Sequence, residues 1–182
     1  MTERSLGVVG AGTMGAGIAQ LGCLAGMETY LHDPFPEALA RGADYVRAAL
    51  RKGAQRGRWS EVEAADAERR LRTAGELEDL GGCSLVIEAA PERPDLKRDL
   101  FERLSGICAD DAVLATNTSS ILVSAIAAAA EHPERVIGMH FFNPPPLMRL
   151  LEVVAAAQTG ERALEVARAG GSGSSGRWRP SP

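Results

Sequence analysis

A doubly wound α/β domain with a mainly parallel sheet is the fold class that three features of the sequence predict. Short apolar runs recur without polar alternation, as strands covered on both faces require. Stretches with helical spacing separate these runs, so strands and helices alternate along the chain. The first run leads directly into glycines spaced G-x-G-x-x-G, the pattern of a tight turn from a strand into a helix.

The elements follow in order. "LGVVG" at 6–10 is a buried strand and "TMGAGIAQLGCLAG" at 13–26 a helix. "METYLHD" is the second strand, ending at Asp33, where Pro34 and Pro36 stop it and open a helix through about Gly53. A polar helix is expected over 60–72, with Ser60 and Glu63 in capping-box spacing. "SLVIEAA" at 84–90 is a strand and "DLKRDLFERLSGIC" an amphipathic helix. "AVLATN" at 112–117 is a strand, "SSILVSAIAAAA" a helix, "RVIGMHFF" a strand and "RLLEVVAA" the last strand. "TGERALEVARA" begins a helix, but "GGSGSSGRWRPSP" has no apolar period and is rich in glycine and serine. The expected division is therefore a domain over 1–169 and a disordered Gly/Ser-rich tail over 170–182, the mark of a truncated or frame-shifted end.

A chain of 182 residues suits one domain with a proper core. The composition is that of a soluble globular protein, and a net charge of −4 gives no reason to expect nucleic acid or an anionic membrane. Cys23, Cys83 and Cys108 are widely spaced, which argues for reduced thiols in a cytoplasmic protein and against a disulfide frame or a metal site. No apolar stretch approaches a membrane span, and "MTERSLGVVG" lacks a signal-peptide core.

Two constellations carry chemistry. In "GVVGAGTMGAG", Gly10 allows the tight turn, Gly12 lets the backbone approach a pyrophosphate, and Gly15 lets the helix pack on the strand. The helix start at Thr13 and Met14 offers its positive end to phosphate. Asp33 ends the second strand, where an acid bonds ribose hydroxyls and repels a 2′-phosphate, so the expected cofactor is NAD. The alternative is an ordinary strand–helix turn, with Asp33 capping the next helix. The second constellation is "GMHFFNPPPLMRLLEVV". His140 ends a strand at the edge where α/β sheets bind ligands, and Glu152 lies within an apolar run where an acid needs a partner. Together they read as a general base with its orienting carboxylate. The alternative is a strand-end histidine, with Glu152 paired to Arg149. "LATNTSS" adds Asn117 and the hydroxyls of Thr118, Ser119 and Ser120 at a third strand end, for substrate, for nicotinamide or for a helix N-cap. His32 and His132 read as structural or solvated.

"GVVGAGTMGAGIAQ", "VIEAAPE", "LATNTSS" and "GMHFFNPPPLMRLLEVV", in this order, closely resemble the NAD-binding domain of the 3-hydroxyacyl-CoA dehydrogenases, over about Leu6 to Ala169. The resemblance implies a Rossmann-type sheet and NAD-dependent oxidation of an L-3-hydroxyacyl-CoA to the 3-ketoacyl-CoA. It further implies His140 as catalytic base, Glu152 as its paired acid and Ser119 as the substrate-binding serine. Asn143 matches a residue near the nicotinamide, and Ala89, Glu92 and Lys97 match positions lining the cofactor. Glu92 and Lys97 also fit solvated charges at a helix start. Family members continue into a largely helical C-terminal domain that supplies most of a homodimer interface, closes the cleft and adds an asparagine. Here "GGSGSSGRWRPSP" stands in that place, which leaves three expectations: an acyl-CoA dehydrogenase, an NAD-binding module with little turnover, or a half-enzyme needing a helical partner. It also predicts exposed apolar area near the last strand. In "RAALRKGAQRGRWSEVEAA", which resembles the family's acyl-CoA-facing helix pair, Gly53 weakens a helix by about 1 kcal/mol relative to alanine. Arg51, Lys52, Arg56 and Arg58 fit either CoA phosphates or a basic solvated face.

Overall fold

The computed structural model describes residues 5–148 and 150–171. Seven strands form one sheet in the order β3-β2-β1-β4-β5-β6-β7. The strands are β1 (Ser5–Val9), β2 (Glu28–His32), β3 (Leu71–Ala74), β4 (Leu85–Glu88), β5 (Val113–Thr116), β6 (Val136–Phe141) and β7 (Leu151–Ala155). Neighbours from β3 through β6 are parallel, and β7 alone runs antiparallel against β6. The helices are α1 (Thr13–Leu24), α2 (Pro36–Gln55), α3 (Glu61–Arg70), α4 (Pro94–Ile107), α5 (Val123–Ala127) and α6 (Glu161–Gly171). The chain reverses its direction of sheet growth between β1 and β4, so the carboxyl ends of these strands flank a crevice, the place where open α/β sheets bind ligands.

The apolar runs lack alternation because both faces of the sheet are covered. Leu85 and Ile87 of β4, Val113 and Ala115 of β5, and Ile137 and Met139 of β6 pack into the core shared with α1, α2 and α6. Their neighbours Val86, Leu114 and Val136 enter the opposite core with Phe101 and Leu104 of α4 and Ile126 of α5. Side chains of a strand alternate between faces, and both faces here are apolar. Among the described residues no helix is long and apolar enough to cross a membrane.

Pro36 opens α2, as expected. The Ser60–Glu63 capping box is formed: Ser60 Oγ accepts from Glu63 N at 3.1 Å, and Glu63 Oε2 accepts from Ser60 N at 2.7 Å.

Three expectations need correction. The helix placed over 60–72 ends at Arg70, and Leu71 passes at once into β3, which pairs with β2. Burial of Leu71 and Ala74 draws this segment into the sheet. The helix expected over "SSILVSAIAAAA" shrinks to Val123–Ala127, because Thr118–Ile121 forms a side-chain-closed turn instead. Gly53 is no mere weak point: a Cβ there would lie 1.9 Å from Trp59 Cζ2, so glycine makes room for the indole. That ring donates from Nε1 to Leu50 O at 2.8 Å and fastens the α2–α3 turn. The tail expected over 170–182 lies outside the described residues except for Gly170 and Gly171, which belong to α6.

Candidate active site

The glycine loop is shaped by close approaches of the backbone. Gly10 has φ +100°, and a Cβ there would meet Ala89 O at 2.8 Å, so the turn leaving β1 abuts the end of β4. A Cβ on Gly15 would stand 1.7 Å from Gly10 O, so α1 can start where it does only with glycine at that position. Gly12 differs: an added Cβ would meet nothing within 4 Å. Nothing among the described residues demands glycine at 12, and the space beside it suits a ligand's diphosphate. Helix α1 has no side-chain cap and no acid in its first turn, so the amides and positive dipole end at Thr13 and Met14 are left for an anion.

Asp33 follows β2 and faces the same cleft, of about 310 Å³, which is also lined by Gly12, Thr13, Arg41, Gly42 and Tyr45. Its Oδ2 accepts from Ala11 N at 2.9 Å and its Oδ1 from Phe35 N at 3.0 Å. The carboxylate thus ties the glycine loop to the end of β2, and α2 has no side-chain cap, so capping of that helix is not its role. A carboxylate accepts about four hydrogen bonds, which leaves capacity for ribose hydroxyls. Uncapped helix, open Gly12 and available acid together fit a dinucleotide. Arg41 and Tyr45 were not singled out from the sequence. Their signal is spacing: Ala38, Arg41, Gly42 and Tyr45 share one face of α2.

A buried polar network joins β4, β5 and α4. Glu88 is 0% and Lys97 1% exposed at the side chain, with Nζ 2.6 Å from Glu88 Oε1. Glu88 also accepts from Ala90 N at 2.7 Å and from Thr116 Oγ1 at 2.7 Å. Lys97 Nζ reaches Ala90 O at 3.3 Å and Glu92 Oε2 at 3.4 Å. Glu92 in turn accepts from Ser119 N at 3.1 Å, Ser120 N at 3.3 Å and Ser120 Oγ at 3.2 Å, and from the Thr118 hydroxyl. Partial burial pushes the Glu92 carboxyl up, but the Thr118 hydroxyl, the Lys97 ammonium and the Ser119 amide outweigh it and hold the group below the ordinary carboxylate range. Lys97 is therefore not a solvated helix-start charge, and Glu92, with its side chain 37% exposed, is tied into the network rather than left to water alone. Thr118, and neither serine, closes the turn, accepting from Ile121 N at 3.0 Å. Ser119 is exposed on this turn. Asn117 Oδ1 accepts from Phe141 N at 2.8 Å and locks the end of β5 to the end of β6. Asn143 is exposed in the turn beyond Phe142. That turn rests on α1, where a Cβ on Gly17 would lie 2.9 Å from Pro145 Cδ.

His140 and Glu152 are register partners across the antiparallel β6–β7 pair, with Nδ1 2.8 Å from Glu152 Oε2. An ionised carboxylate only accepts hydrogen bonds, so this contact calls for a proton on Nδ1, and the neutral imidazole with that proton has its lone pair on Nε2. The Phe142 ring lies 4.6 Å from the imidazole, centroid to centroid. Burial differs from expectation: the His140 side chain is 21% exposed, but that of Glu152 is 52% exposed and is not a buried acid. The alternative pairing with Arg149 falls on a residue outside those described. His32 is buried, with Nδ1 3.1 Å from Ala74 O, and His132 pairs with Glu134, so both are structural or solvated. In the α2–α3 arm, Arg51 is tied to Glu68. Among the described residues no group of three or more His, Cys, Asp or Glu could hold a metal ion.

All these strand ends share one edge of the sheet: Gly10 after β1, Ala89 after β4, Asn117 after β5, His140 at the end of β6 and, because β7 runs the other way, Glu152 near its start.

Residues 5–172 match the family model described as 3-hydroxyacyl-CoA dehydrogenase, NAD binding domain. The 3-hydroxyadipyl-CoA dehydrogenase of Escherichia coli K12 is 41% identical over 162 residues, covering 89% of this chain and 34% of that protein. A probable 3-hydroxybutyryl-CoA dehydrogenase of Bacillus subtilis is 39% identical over 167 residues, covering 91% of this chain and 58% of that protein. A crystal structure of 3-hydroxybutyryl-CoA dehydrogenase from Escherichia coli K12 superposes with a TM-score of 0.87 at 41% identity, covering 91% of this chain and 35% of that one. The chain thus spans about a third of the first of these relatives and somewhat over half of the second.

Proposed function

The chain belongs to the 3-hydroxyacyl-CoA dehydrogenase family, of which it carries the NAD-binding domain, and from this premise we propose that it serves NAD-dependent oxidation of an L-3-hydroxyacyl-CoA to the 3-ketoacyl-CoA. The observation that carries this reading is the 2.8 Å His140–Glu152 pair on the same sheet edge as the glycine loop. His140 Nε2 takes the substrate hydroxyl proton as the C3 hydride leaves and the carbonyl forms. Glu152 holds the ring in the tautomer this needs and stabilises the imidazolium once it is formed. Ser119 donates to or accepts from the substrate oxygen beside His140. NAD, held by the glycine loop and Asp33, supplies the hydride acceptor when bound. The three buried, unpaired thiols fit a cytoplasmic setting.

A second reading is favoured by one observation. Glu152 is half-exposed, and Leu147, Met148, Leu150 and Val154 expose apolar surface close to it in sequence. Catalysis gains from water exclusion and a fixed substrate, so the chain in this form would bind NAD with little turnover. NADH oxidation with acetoacetyl-CoA, with His140→Gln as the blank, separates the two. Turnover that vanishes in the variant supports the dehydrogenase. No turnover with NADH still bound leaves a cofactor-binding module, and absence of NADH binding sinks both.

A further inference from the structure

The cleft beside the glycine loop is lined by two ionised side chains of opposite sign. Asp33 is the acid, held by Ala11 N at 2.9 Å and Phe35 N at 3.0 Å. Arg41 of α2 is the cation. Its backbone is fixed against the loop, because a Cβ on the next residue, Gly42, would lie 2.6 Å from Ala11 O. Ala38 and Gly42, its neighbours along the cleft, are too small to cover the guanidinium. Among the described residues Arg41 has no ion pair and no side-chain hydrogen bond, with Asp33 or with any other acid. Asp44, three residues on, is turned to Arg47 instead, at 3.1 Å.

The charge of a dinucleotide gives such a free cation a use. The diphosphate carries a negative charge on each phosphate, whereas the N-terminus of α1 offers only about half a positive charge. Without Arg41, the one ionised side chain left lining the cleft would be the Asp33 carboxylate, which repels the ligand.

We propose that Arg41 is a cofactor-binding residue, whose guanidinium pairs with the diphosphate of NAD in the cleft it shares with Gly12 and Thr13. It offsets Asp33, so that the acid faces ribose hydroxyls without turning the cleft against the phosphates. A guanidinium suits this task, since its planar fork donates to two phosphate oxygens at once. This role rests on NAD occupying the glycine loop and is independent of turnover.

Binding of NADH, ADP-ribose, adenosine and CoA is measured on the full chain and on Arg41→Gln, Arg41→Lys and Arg162→Gln. Arg162 of α6 is exposed, bonded to Asp111 and absent from the cleft lining, so Arg162→Gln makes the same change of net charge elsewhere. At low salt Arg41→Gln should bind NADH and ADP-ribose about tenfold more weakly, or about 1.4 kcal/mol. Adenosine, which has no phosphate, should lose less than about twofold. The loss should shrink in about 0.5 M KCl, where the screening length falls to about 4 Å. Arg41→Lys should keep part of the affinity, as a point charge without the fork. Arg162→Gln should leave NADH binding within about twofold of the parent. Unchanged NADH affinity in Arg41→Gln overturns the proposal. So does an equal loss for adenosine, which would put the guanidinium on the base, or an equal loss in Arg162→Gln, which would reflect net charge alone. A loss confined to CoA overturns it too, because the phosphate would then belong to the substrate. A parent that binds neither NADH nor ADP-ribose sinks the cofactor reading itself, and Arg41 with it, a result distinct from any difference between parent and variant.

Discussion

Around β1 and β2 the chain builds its own walls. Gly10 turns against Ala89, Gly15 sits against Gly10 O, Gly42 of α2 sits against Ala11 O, and Asp33 ties Ala11 to Phe35. Around β6 and β7 the reverse holds. His140 and Glu152 meet through one side-chain hydrogen bond, and the surrounding Leu147, Met148, Leu150 and Val154 are exposed. The first region is specified by backbone approaches that tolerate no added atom. The second is specified by strand register, with its side chains left open. In the proposed function, binding and chemistry therefore rest on different kinds of contact, and substitutions should separate them.

The largest expected effect lies in the open region. In the proposed function His140→Gln removes the base, and kcat should fall by about 10²–10⁴-fold, the usual contribution of a general base. NADH affinity should stay within about twofold by fluorescence titration. A matching loss of NADH binding would mean that the two regions are one. Next comes Gly15→Ala in the walled region, where the 1.7 Å approach to Gly10 O forces the helix off the loop. It should lower stability by about 3 kcal/mol, the upper end of ordinary overpacking, and take NADH binding with it. Gly12→Ala sharpens the contrast, since its new methyl meets no protein atom within 4 Å. Thermal unfolding should be unchanged while NADH binds about tenfold more weakly, or about 1.4 kcal/mol. Equal affinity in Gly12→Ala would show that the space beside it is not where the diphosphate lies.

The same division explains what the sequence made legible. The glycine turn, the Pro36 start and the Ser60–Glu63 capping box are local devices, and each appears where its spacing predicts. The His140–Glu152 pair was also readable, because a strand-end histidine and an acid in the next run meet whenever the two strands are antiparallel neighbours. The exposure of Glu152 was not readable, since it depends on what covers β7. Strand β3 escaped notice because it has four residues, only two of them buried, and grows straight out of α3. Helix α5 is short because Glu92, 27 residues before Ser119 in the chain, draws the turn out of helical shape. Arg41 entered the cleft unannounced because only the packing of α2 on the glycine loop brings it there. The members of the Lys97 network are paired across a strand, a loop and a helix, and no periodicity reports such a pairing.

Gly53 brings the local and tertiary arguments into direct conflict, and its substitution gives the smallest effect worth measuring. Helix propensity alone says that Gly53→Ala stabilises α2 by about 1 kcal/mol. Packing says the opposite, because the methyl would stand 1.9 Å from Trp59 Cζ2 and 2.4 Å from Trp59 Cε2. The indole cannot retreat without giving up its 2.8 Å bond to Leu50 O. Overpacking of this kind costs roughly 1–3 kcal/mol, so the balance should be a net loss of about 1 kcal/mol, read as a lower midpoint in urea with an unchanged slope. Trp59 fluorescence should shift toward the red as the ring is displaced toward water. NADH binding should not change, because the α2–α3 turn lies at the far end of α2 from the glycine loop. A rise in stability instead would mean that propensity outweighs packing in this arm, and that the indole has room to move which its hydrogen bond argues against.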